Sequence, residues 1–145
     1  MKPFPRTQVE NLSLPRLLIG TNWVLGYSHT SPSADEMIRR RYHDAEQVSR
    51  LLEAYLKYDI DAVMAPFEPD GALLAGVRLA EARTGKRLTL IDTPIVDVSD
   101  SVQGRAAARA RIHRSAEMGC SLCLLHHSCA EQLVNKHKGT IERLP

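Results

Sequence analysis

No apolar run in this sequence approaches the roughly 20 residues that a membrane-spanning helix needs. Met1 to Asn11 also place prolines and polar side chains where a signal peptide carries its apolar core. The expectation is a cytoplasmic protein with no membrane partner. Cysteine is scarce and odd in number: Cys120, Cys123 and Cys129 fall within one short stretch, which does not describe a secreted disulfide framework and suits reduced thiols. Charge of one sign is lacking too. Lys and Arg number 19 against 17 Asp and Glu, and the excess is not gathered on one segment, so no nucleic-acid partner is expected. The basic run Arg39-Arg40-Arg41 falls inside a helical pattern and reads as a solvated face. Neither glycine-rich nucleotide loop occurs, GxGxxG and GxxxxGK(S/T) both being absent. What remains is 145 residues, 43% hydrophobic and 25% charged, the composition of one soluble globular domain.

Within that composition the apolar pattern switches repeatedly between short continuous runs and longer stretches of 3.6-residue spacing. The short runs are Arg16 to Asn22 (RLLIGTN), Asp61 to Phe67 (DAVMAPF), Arg87 to Asp92 (RLTLID) and Cys120 to His126 (CSLCLLH). They read as strands covered on both faces, with Pro66 ending the second. The first helical pattern starts where Ser33 and Glu36 have capping-box spacing and continues to Lys57. Its buried stripe is Met37, Ile38, Ala45, Val48, Leu52, Tyr55 and Leu56. The second, Gly71 to Thr84, has Asp70 as its cap and Gly85 as its left-handed close. The third runs from Gln103 to Met118 and is closed by Gly119. Ser128 and Glu131 repeat the capping-box spacing for a short helix ending near Lys138, and Thr140 reads as the cap of a further helical segment.

Strands and helices alternating with short connections are successive βαβ units, so a parallel sheet is expected. Closed barrels and open doubly wound sheets share this unit. Polar residues follow every strand, at Asn22, Glu68, Asp92 and His126, instead of gathering at one switch point, and this favours the barrel. The expected fold is α/β, a parallel (β/α)4 half of a TIM-type (β/α)8 barrel over residues 16–145, behind an N-terminal extension of residues 1–15. A full barrel needs about 250 residues. The chain stops as a helix able to cover the fourth strand begins, so a truncated half is expected. An open, flavodoxin-like binding domain is the alternative, with its ligand at a single switch point.

The segments LPRLLIGTNWVLGYSHTS, IDAVMAPF, LIDTPIVD and CLLHHS are similar to the N-terminal half of an uncharacterised bacterial family of predicted TIM barrels. That resemblance implies a fragment of a longer barrel and carries no activity with it. A second resemblance, to the aldo-keto reductases, rests on Ile19-Gly20-Thr21 and Leu124-Leu125-His126. Where that family has a catalytic tyrosine after the second strand and a lysine at the end of the third, this chain has Phe67 and Glu68, then Asp92 and Thr93.

If the strand ends share one mouth, Asn22, His29, Glu68, Asp92, His126 and His127 supply carboxylate, imidazole and amide groups suited to acid–base work or a divalent metal. Strand alternation puts Leu122 and Leu124 toward the helices and Ser121, Cys123, Leu125 and His127 toward the barrel axis. His127 is then the inward histidine and His126 a rim residue, unless a bulge shifts the register by one. The third strand leaves Asp92 and Thr93 open. Trp23 and Tyr27 suit the wall of a small-molecule pocket, and the segment from Gly26 to Ser31 offers N–H groups at a helix start. Structural alternatives stand beside these roles. Asp92, before Thr93 and Pro94, can cap a turn, as can Asn22, and Glu68 fits a loop. His43, His113 and His137 fall on surface positions. Cys120 and Cys123, three apart on a strand, face opposite sides, which disfavours zinc and leaves buried thiols.

Two functional expectations follow. One is a barrel enzyme, or half of one, acting on a small polar or anionic metabolite by acid–base chemistry. In it Asp92, His126 and His127 are catalytic, Asn22, Trp23, His29 and Glu68 bind substrate, and a divalent metal is a candidate cofactor. The other is a non-catalytic, truncated or structural half-barrel whose open sheet edges close by forming a homodimer.

Overall fold

The computed structural model describes residues 4–135 and 139–141, so the expectations for His137 and Lys138 lie outside the described residues. Among the described residues the chain is mixed α/β, with six helices and a four-stranded parallel sheet. Two compact units divide it, the first running to Leu90 and the second beginning at Ile91.

Residues expected as an extension form an antiparallel hairpin, Arg6–Val9 (β1) with Leu12–Pro15 (β2). Glu10 sits at φ 50, the left-handed geometry that a two-residue hairpin turn requires. Arg6 ties the hairpin down. Its guanidinium donates to the carbonyls of Ser13 at 2.6 Å and Asp59 at 3.2 Å, and lies 3.0 Å from Asp61 Oδ1. That oxygen has no aligned hydrogen-bond donor, so charge alone holds it to Arg6.

The first parallel strand is only Ile19–Gly20 (β3), shorter than the expected run because Asn22–Leu25 turns into a short helix (α1) closed by Gly26 at φ 83. The long helix expected up to Lys57 is two helices, Pro32–Arg41 (α2) and Ala45–Leu56 (α3). Asp44 breaks it: its backbone is extended and its carboxylate accepts the Gln47 N–H at 2.9 Å, a local cap that competes with helix continuity. The cap of α2 is Ser31, which accepts from Ala34 N at 3.2 Å with Pro32 following. The Ser33–Glu36 box does not form, and Glu36 pairs with Arg40 instead. The break also resets the apolar phase. Met37, assigned to the buried stripe, is 62% exposed, whereas Val48, Leu52 and Leu56 are buried.

Ala62–Ala65 (β4) pairs parallel with β3, Ile19 opposite Val63 and Gly20 opposite Met64. Ile19 and Val63 share a buried face. On the other face Gly20 is exposed, and a methyl group on its Cα would meet nothing within 4 Å. Ala72–Thr84 (α4) begins after Gly71, not Asp70, and ends at Gly85. It crosses α3 so closely that a Cβ on Gly76 would lie 2.5 Å from Val48 Cγ1.

Thr89–Asp92 (β5) spans the boundary between the units. In the second unit Val102–Glu117 (α5) is capped by Ser101, which accepts from Gly104 N at 2.9 Å. The last strand of the parallel sheet, Leu122–Cys123 (β6), puts Leu122 opposite Ile91 and Cys123 opposite Asp92. Strand-like bonding continues past it, Leu124 N donating to Asp92 O at 2.8 Å and His126 N to Pro94 O at 3.2 Å. The final helix, His127–Leu133 (α6), is capped by His126 and not by Ser128, and it ends well before Lys138. Thr140 starts no helix: Thr140–Ile141 (β8) pairs antiparallel with Val134–Asn135 (β7). The strand order of the parallel sheet is β3-β4-β5-β6.

Candidate functional site

The candidate residues fall into three groups, one in the first unit and two in the second. In the first, Asn22 and His29 meet: Asn22 Nδ2 lies 2.9 Å from His29 Nε2. An amide nitrogen can only donate, so Nε2 accepts and the ring proton sits on Nδ1. His29 has φ 58, a left-handed backbone uncommon outside glycine. A buried serine builds this loop. Ser28 gives both its N–H, at 2.7 Å, and its hydroxyl, at 2.5 Å, to Asp35 Oδ1, and it accepts from Thr30 Oγ1 at 2.9 Å. These bonds from Ser28 hold the Asp35 carboxyl below its ordinary range. Asn22, Trp23, Tyr27 and His29 are exposed around this framework, while Thr21, Val24, Gly26 and Ser28 are buried beneath it. Glu68 lies exposed in the loop after β4, its carbonyl accepting from Gly71 N.

In the second unit Asp92 is fully buried and faces α5. Arg111 Nη1 lies 2.7 Å from Asp92 Oδ2 and Nη2 lies 3.3 Å from Oδ1, while the Ser115 hydroxyl donates to Oδ2 at 2.5 Å. The carboxylate is therefore directed into the contact with α5. It is one half of a buried, two-pronged ion pair. Cys123, opposite Asp92 in register, has its sulfur 3.8 Å from Ser115 Oγ. Cys123 thus faces α5, which corrects the expectation that it faces the barrel axis. By alternation Leu122 and Leu124 take the face opposite α5, and the continuing ladder carries His126 to that face in place of His127. Burial, with the Asp92 charge nearby, pushes the Cys120 thiol up to about 11. Cys129 is buried against Val96, whose N–H it accepts at 3.3 Å.

The third group is the histidine pair. The rings of His126 and His127 lie 4.3 Å apart, centroid to centroid. His126 Nδ1 is 2.7 Å from Ser128 Oγ and accepts Ser128 N at 3.3 Å, which fixes its ring at the start of α6. Among the described residues, no three His, Cys, Asp or Glu side chains come together to hold a metal ion, and no helix is long and apolar enough to cross a membrane.

Arg111 and Ser115 were missed in the sequence although a signal for them exists. With Gly104 and Ala108 they recur at helical spacing as the inward stripe of α5. A stripe lacking large apolar side chains and carrying an arginine implies a buried acid opposite. Comparison with protein families, curated proteins and solved structures gives no match.

Proposed function

We propose that this chain is a parallel half-barrel whose sheet is completed by a second copy of itself, and that the exposed strand-end residues bind a small polar metabolite. The observation that supports the reading is a four-stranded parallel sheet whose central strands are buried on both faces while its two outer strands carry exposed positions. Parallel strands are almost always covered on both sides, yet Leu124 beside the outer strand β6 is 49% exposed. In the first unit Gly20 opens onto empty space. Both outer strands, β3 and β6, also lack a further strand among the described residues. Two copies related by a two-fold axis, each placing β6 beside the other's β3, would join all these edges in one polarity and close an eight-stranded barrel. Acid–base chemistry in such an assembly falls to the imidazoles of His126 and His127, because Asp92 is already committed to Arg111 and Ser115.

Light scattering on the purified chain tests this. Twice the chain mass is expected, falling to a monomer of unchanged circular dichroism in Leu124→Glu, a substitution at an exposed position. A monodisperse wild-type monomer at tens of micromolar, or open-ended aggregates in place of a dimer, would overturn the reading.

A further inference from the structure

We propose that the loop following β3 is a binding site for a neutral hydroxylated ring of the monosaccharide class, held by Asn22, Trp23, Tyr27 and His29. This rests on the small-molecule part of the reading above and names the ligand chemistry.

Three observations carry it. Trp23 is 58% exposed and Tyr27 is 54% exposed, and large aromatic faces left in water within a few residues of each other are the usual platform for the C–H face of a flat or ring-shaped ligand. In the same loop, the exposed Asn22 amide and His29 imidazole already touch. Together they offer an amide oxygen, a second amide N–H and an imidazole N–H, a mixture of donors and acceptors that matches hydroxyl groups. The position is also built in advance. His29 is held in a left-handed conformation of the kind that persists only where surrounding bonds enforce it, and the Ser28–Asp35–Thr30 network supplies that enforcement. A loop ordered before binding loses little freedom when a weak ligand arrives.

The charge balance selects the ligand class. The charged side chains that touch the loop are engaged internally, Asp35 with both groups of Ser28 and Arg39 Nη1 with the Gly26 carbonyl at 3.3 Å. An anion would have to compete with the Gly26 carbonyl and Glu36 for the Arg39 guanidinium and would meet the Asp35 carboxylate, whereas an uncharged polyol needs only dipoles and aromatic faces. The location agrees, since ligands of parallel α/β sheets bind beyond the carboxyl ends of the strands.

Trp23 is the only tryptophan of the chain, so its fluorescence reports on this loop alone. The full chain is titrated with glucose, galactose and mannose, and separately with glucose 6-phosphate. A saturable change with at least one neutral hexose in the millimolar range is expected. The affinity should fall about fivefold or more in Asn22→Ala and in His29→Gly, a loss on the scale of one neutral hydrogen bond. Glycine keeps the left-handed backbone at position 29 without strain, and both side chains are exposed, so circular dichroism should be unchanged. Hexose binding of equal strength in both variants would overturn the site. Binding of the phosphate ester alone would overturn the neutral class while leaving a small-molecule loop standing. No saturable response to any of the four probes would overturn both.

Discussion

At the scale of single residues, the pair Asp92–Arg111 decides how the second unit tolerates change. Arg111→Met takes the guanidinium away from a fully buried carboxylate, and breaking a buried pair from one side costs about 3–5 kcal/mol. Urea unfolding of this variant should show that loss; a change below about 1 kcal/mol would mean the pair is solvated. Adding Asp92→Leu to Arg111→Met should recover part of the stability, because no charge is then left buried. Cys120 gives a second prediction at this scale. Its thiol ionises near 9.0 when free but only at about 11 in the fold. The unfolded chain therefore loses the proton first, and stability falls as pH rises through that window. The difference between wild type and Cys120→Ala, measured by urea unfolding at pH 8, 9, 10 and 11, isolates this contribution and should grow across the series. Candidate residues were legible here by type but not by orientation. Asp92 reads as polar at a strand end, yet its partners lie 19 and 23 residues away on a helix. Only the composition of the α5 stripe could have pointed to them.

At the scale of elements, contact between α3 and α4 depends on Gly76 having no side chain. Gly76→Ala places a methyl group against Val48 Cγ1 and the Ala45 carbonyl; the expected destabilisation is about 1–3 kcal/mol, read as a lower urea midpoint at unchanged slope. The loop between α1 and α2 carries a pH dependence of its own. Bonds from Ser28 lower the Asp35 pKa from 3.8, so their stabilisation is complete above that value and is lost as pH falls through the lower, folded value. Asp35→Asn should abolish this acid dependence, as seen in amide exchange of Ser28 and Thr30 between pH 5 and 2. Element types were legible wherever a long periodic stretch existed, as in α4 with its Gly85 close. Boundaries were not. The Asp44 side chain interrupts a stripe that periodicity alone reads as continuous, and at the C-terminal end the Ser128–Glu131 spacing names a cap that the His126 ring takes instead. Capping competition is settled by which oxygen or nitrogen reaches the first free N–H, and spacing does not encode that.

At the scale of the whole molecule, the proposed completion of the sheet by a second copy would make thermal stability depend on concentration. The melting temperature should rise by several degrees between about 1 and 100 μM if folding and association are linked, and should be flat in Leu124→Glu. The parallel order β3-β4-β5-β6 was legible from alternating periods, since βαβ units leave few other topologies. The hairpin β1–β2 was not, because its four-residue strands are too short to show a period and β1 is exposed throughout. That hairpin carries a consequence for the order of folding. Arg6 binds the Asp59 carbonyl, 53 residues along the chain, so β1 cannot make this contact until residue 59 has left the ribosome. At about 5–20 residues per second, it waits seconds for its anchor, as a loose end whose mooring has yet to be made.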